Sequence, residues 1–147
     1  MSQKHKPPRF SYKKFPQPTK NEFVPSDVGY FERYPEFSFK HYASDHKKYS
    51  FRCIKTLDDF YEMFKRLKAL SNLKWKDIKL AGNYHFHEIE WVHSSEPHGF
   101  NTSVLKDFPA LQFKLFQECR ILGFFNRGNV FEIVWIDRHH KIYKRKK

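Results

Sequence analysis

The chain predicts an α+β fold in two layers: an antiparallel meander sheet with one main helix and one short helix packed on one face, plus an extended N-terminal arm. Three observations carry this expectation. The stretch "TLDDFYEMFKRLKALSNL" places apolar residues at three-four spacing, the period of a half-buried helix. Three later runs, "LQFKLFQ", "RILGFF" and "VFEIVWI", are joined by only a few residues. Such short connections allow antiparallel neighbours and exclude parallel crossovers. Finally, six of the eight prolines precede position 40, which denies that region ladder hydrogen bonds and helix interiors.

The arm, residues 1–45, is basic and rich in proline and aromatics. Its first acidic residue is Glu22, after Lys4, Lys6, Arg9, Lys13, Lys14 and Lys20. Its rings, from Phe10 to Phe39, are too many for a solvated linker, so a basic leader should precede a segment that lies across the domain. The domain itself spans residues 46–147. "YSFRCI" alternates like a strand. In the main helix Thr56 is placed to accept from the backbone of Asp59, and the Asp58/Asp59 pair suits the positive helix start. Leu57, Phe60, Tyr61, Phe64, Leu67 and Leu70 form the expected buried face. "LKWKDIKLAG" reads as a short helix stopped at Gly82. "YHFHEIEWV" alternates, with His85, His87, Ile89 and Trp91 on one side and Phe86, Glu88 and Glu90 on the other. Residues Asn126 to Asn129 make the last strand connection a turn.

Charge narrows the partners. Lys and Arg number 28 against 16 Asp and Glu, a formal charge of +12 in 147 residues. That excess repels itself and suits an anionic partner, with nucleic acid first. No run of about 18 apolar residues suggests a membrane span, and no leader sequence is visible, so a cytoplasmic protein is expected. Cys53 and Cys119 are far apart and outside any CxxC pair, which points to free buried thiols rather than a zinc knuckle. No glycine-rich phosphate loop and no G-x-S-x-G elbow occurs.

The order of elements, carried by "FRCIKTLDDFYEMFKRL" and by "CRILGFFNRGNVFEIVWIDRHHKIYK", resembles the RelE/ParE-like toxin superfamily, with its HigB-like and YafQ-like ribonucleases, over about residues 49–145. The sequence departs from that pattern in the stretch from Gly82 to Pro109, in its long arm and in its terminal "KIYKRKK". The resemblance implies the toxin of a toxin–antitoxin pair, cleaving RNA by attack of the 2′-hydroxyl, often on the ribosome, with no cofactor. An acidic antitoxin protein would then be a partner. Arg120 or Arg127 would clamp the phosphate, since a planar fork matches its oxygens. His139 or His140 would exchange protons near neutrality. Tyr143 would stack on a base or donate a proton. Arg138, Lys141, Lys144 and Arg145 would add cationic contacts to the RNA.

Two alternatives stand beside this reading. The same charges serve equally in a nucleic-acid- or ribosome-binding module without chemistry. Separately, His85, His87, His93 and His98, with Glu88, Glu90 and Glu96, supply donors for a divalent metal, because two histidines two apart share a strand face. The plainer use of those histidines is as a polar rim, or as one wall of an RNA groove.

Overall fold

The computed structural model describes residues 29–90 and 109–143. The expectations for the leader before position 29, for Trp91, His93, Glu96 and His98, and for Lys144 and Arg145 lie outside these residues. The described elements are β1 (Phe37–Ser38), a 3-10 turn (Phe51–Cys53), α1 (Leu57–Leu70), α2 (Trp75–Leu80), β2 (His87–Ile89), β3 (Ala110–Phe116), β4 (Cys119–Phe125) and β5 (Phe131–Asp137). They build an α+β domain on one five-stranded sheet, ordered β1-β5-β4-β3-β2.

Strands β3 to β5 form the antiparallel meander that the short connections require, and β2 pairs antiparallel with β3 although the chain from Ile89 to Ala110 is long. The sheet as a whole is mixed, however, because β1 runs parallel to β5 and pairs Phe37 with Phe131. The segment just after the leader thus supplies an edge strand, a role that its proline content hides. Register between β4 and β5 shifts at Leu122/Gly123, a β-bulge. A Cβ at Gly123 would collide with the Glu132 carbonyl oxygen, so the bulge needs glycine.

"YSFRCI" is not a strand. Ser50 Oγ accepts from the Arg52 amide, and the Cys53 and Ile54 amides donate to Ser50 and Phe51 carbonyls, which closes a 3-10 turn. A serine that hydrogen-bonds its own neighbourhood competes with ladder formation. The stretch still reaches β5: the Tyr49 carbonyl accepts the Ile136 N–H at 3.0 Å, and Cys53 Sγ donates to the Ile136 carbonyl at 3.4 Å.

Helix α1 begins as the sequence predicts: Thr56 Oγ1 accepts from the Asp59 amide at 3.1 Å. Its buried face differs. Met63 and Leu70 are buried, with Phe60 and Leu67 packed beside them. Leu57 is 83% exposed, and Tyr61 and Phe64 also face outward. The apolar stripe is wider than the sheet can cover, and Met63 turns the helix away from its Leu57 edge. Helix α2 ends at Leu80, followed by Gly82 at φ 71°, the left-handed residue that closes many helices. The Trp75 and Lys76 amides at its start donate to the Arg33 and Phe31 carbonyls, each at 3.0 Å. The segment before β1 therefore satisfies donors that a helix start leaves open.

Both helices cover one face of the sheet. Trp75 lies at the centre, edge-on to Phe125 at 5.1 Å and tilted against Phe131 at 5.6 Å. Tyr30 stacks on Phe125 at 3.9 Å, which pins the segment before β1 to the core. The other face carries a smaller cluster, Tyr49, Ile89, Ala110, Leu122, Phe124, Val134, Trp135 and Ile142. Cys53 and Cys119 are free thiols, and burial pushes the Cys119 pKa up to about 12. Among the described residues no helix is long and apolar enough to cross a membrane.

A candidate nucleic-acid cleft on the second face of the sheet

The smaller apolar cluster does not cover the whole second face. At the end where β4 starts and β5 finishes lies a cleft of about 300 Å³ lined by His85, Phe86, His87, Gln112, Arg120, His140 and Tyr143. Register explains most of this wall. His87 on β2 pairs with Gln112 on β3, and Lys114, two residues further along β3, pairs with Arg120 on β4. Because strand side chains alternate, His87, Gln112 and Arg120 emerge on one face.

The other wall comes from the tail. After β5 the chain turns back, and Asp137 Oδ2 accepts the Ile142 N–H at 2.7 Å. Ile142 is buried in the second cluster. Between these two anchors His140 adopts φ 54°, a left-handed conformation that costs a non-glycine residue about 1–3 kcal/mol. The turn holds His140 and Tyr143 over the sheet despite that strain.

Arg120 is buried, 7% exposed, with its side chain fixed from one side. Its Nη1 donates to the Gln117 carbonyl at 3.2 Å and the Cys119 carbonyl at 3.5 Å. Its Nε–H has no partner among the described residues. Burial lowers its pKa from the ordinary arginine value; the nearby carboxylates of Glu118 and Asp137 act the other way. A guanidinium remains charged under such a shift.

His140 responds to the same surroundings. Burial, then the Arg120 charge, lowers its pKa, with Asp137, Glu118 and a hydrogen bond to the Tyr143 backbone opposing. The ring is therefore neutral at neutral pH. Its Nδ1 faces the Glu118 carboxylate at 3.7 Å, beyond hydrogen-bond distance. Its Nε2 lies 3.4 Å from the Gln112 side-chain nitrogen, a pairing in which Nε2 accepts and the ring hydrogen sits on Nδ1. His87 is oriented by a neighbour: its Nδ1 lies 2.6 Å from the His85 carbonyl, which can only accept, so Nδ1 carries hydrogen.

The sequence-predicted residues divide into two sets. Arg120, His140 and Tyr143 meet in the cleft, joined by His85 and His87. His139 is exposed and lies outside that lining, and Lys141 is exposed beside it. Arg127 sits in the β4–β5 turn, roughly 20 Å from Arg120 at about 3.3 Å per strand residue. Arg138 is committed elsewhere: its Nε donates to Asp59 Oδ2 at 2.9 Å, its Nη2 to Gln117 Oε1 at 2.7 Å, and its guanidinium lies over the Phe116 ring. It fastens the end of β5 to the start of α1 rather than facing the cleft. As for a metal, no group of three or more His, Cys, Asp or Glu side chains gathers among the described residues.

Two functional positions were missed from sequence. Gln112, 1% exposed, is a lone uncharged polar residue inside the apolar run "ALQFKLF". That anomaly was a usable signal. Asp137 follows the run "VFEIVWI" with no local signal, and its control of the tail needs the fold to be seen. No protein-family model, curated protein or solved structure matches the chain.

Proposed function

We propose that this chain is a RelE-like toxin that binds single-stranded RNA in the cleft and cleaves it without a metal. One observation carries the reading: a buried arginine with an unused N–H and a neutral histidine line the same cleft. Those are the parts that 2′-hydroxyl attack demands. His140 Nε2 takes the 2′-hydroxyl proton, and O2′ forms a bond to the adjacent phosphorus. The bond from phosphorus to O5′ breaks, and the departing oxygen takes a proton from the Tyr143 phenol. The products are a 2′,3′-cyclic phosphate and a 5′-hydroxyl. Arg120 stabilises the charge that builds on the phosphoryl oxygens. The helix-then-meander order supports the RelE-like assignment, and the +12 charge of the chain supports RNA, free or on the ribosome, as target. An acidic antitoxin would cover this face.

The test uses the full chain and a short single-stranded RNA in the presence of EDTA. Cleavage leaving a 2′,3′-cyclic phosphate is expected, with Arg120→Ala and His140→Ala each slowing it about 100-fold or more. A second reading, an RNA-binding module without chemistry, is favoured by one contact: Gln112 already occupies His140 Nε2. Intact RNA together with tight, salt-sensitive binding would decide for that module.

A further inference from the structure

Among the residues that line the cleft, Arg120 and Gln112 each carry a buried polar atom with no hydrogen-bond partner among the described residues, and the two atoms are of opposite kind. Arg120 Nε–H is an unused donor, and Gln112 Oε1 is an unused acceptor. Gln112 turns its side-chain nitrogen to His140 Nε2 at 3.4 Å, which leaves its oxygen over; in that pairing Nε2 accepts and the imidazole hydrogen sits on Nδ1. Gln112 pairs with Leu122, two residues from Arg120, so the two side chains are diagonal neighbours on one face, about 7–8 Å apart at their backbones. Buried donors and acceptors in native proteins are nearly always satisfied, so an orphan pair lining a cleft describes its ligand. That ligand carries a hydroxyl or amino donor beside an anionic acceptor.

We infer that Gln112 selects ribose, with its Oε1 receiving a nucleotide's 2′-hydroxyl while Arg120 Nε–H binds the neighbouring phosphate. This rests on the reading of the cleft as an RNA site, and adds to it the group that distinguishes RNA from DNA. In a ribonucleotide the 2′-hydroxyl stands on the carbon next to the one that bears the 3′-phosphate. The base donors lie further off, across the glycosidic bond. Only the sugar therefore offers both partners within one residue of the chain. A deoxyribose leaves Oε1 buried and unsatisfied, and a 2′-O-methyl group has no hydrogen to give it. The amide also touches His140 through its nitrogen, so the hydroxyl is held at Oε1 on binding, and cleavage requires the amide to release His140 Nε2 and the hydroxyl hydrogen to turn to it.

The experiment compares binding of the full chain to a fluorescent single-stranded RNA, its 2′-deoxy counterpart and its 2′-O-methyl counterpart, read before turnover at one salt concentration. Wild-type protein should prefer RNA to both by at least about tenfold. Gln112→Met should keep its affinity for DNA, which reports an intact fold, and bind all three strands within about twofold of one another. Equal wild-type binding of RNA and DNA, both weakened by salt, would overturn the selection by Gln112 and leave the RNA site standing. So would a Gln112→Met protein that still prefers RNA. Binding of none of the three strands would remove the RNA site itself, and this inference with it. Should Gln112→Met fail to fold, Gln112→Leu is read by the same comparison and the same criteria.

Discussion

The two faces of the sheet solve opposite problems with similar material. The helix-covered face is closed: Trp75, Phe113, Phe125 and Phe131 interlock, and the segment before β1 both stacks on them and satisfies the start of α2. The second face is apolar only in part. Where β4 begins, it leaves a guanidinium, an amide and an imidazole around a cleft, with polar atoms that have no hydrogen-bond partner among the described residues. Buried polar atoms without partners reduce stability. The contrast teaches where this domain gains its stability and where it gives some of it up.

The sharpest break should come on the closed face. Trp75→Ala removes a fully buried indole and is expected to cost about 3–5 kcal/mol, read as a fall in the denaturant midpoint. Arg120→Met tests the other face and should behave in the opposite way. Loss of two carbonyl contacts is offset by removal of a buried charge with an unsatisfied N–H, so stability should stay within about 1 kcal/mol of wild type. RNA binding should fall while stability holds; a large loss of stability would make Arg120 a structural residue instead.

The smallest effect concerns pH. His140 is held below its ordinary pKa in the folded state, by burial first and by Arg120 second. As pH drops through about 6.5, the unfolded chain takes up this proton before the folded one does, and stability declines. His140→Gln should flatten that decline between pH 7.5 and 5 in thermal melts. A decline of unchanged slope in the variant would assign it to other histidines.

Much of this molecule is written locally. Thr56 with Asp59 fixed where α1 starts, Gly82 marked the end of α2, and the short connections from β3 to β5 dictated antiparallel neighbours. These are readable because capping, left-handed turns and tight loops depend on residues a few positions apart. The alternation read over "YHFHEIEWV" holds, among the described residues, only in β2, His87–Ile89; His85, read as sharing a strand face with His87, precedes the strand at φ 47°. The errors share a cause as well. Ser50 diverted "YSFRCI" into a turn, and Met63 rotated α1 so that Leu57, Tyr61 and Phe64 face outward, because the choice between faces depends on what the sheet can cover.

By itself, then, the sequence determined the α+β class, the helix start, the meander and a cationic chain suited to a polyanion. Only the tertiary structure decided which of many basic and imidazole groups lie together. Cross-strand register set Gln112 and Arg120 as diagonal neighbours, Asp137 folded the tail so that His140 and Tyr143 joined them, and Asp59 drew Arg138 away. Those pairings link residues far apart in the chain, and their geometry depends on strand register and on burial, neither of which any short stretch of sequence contains.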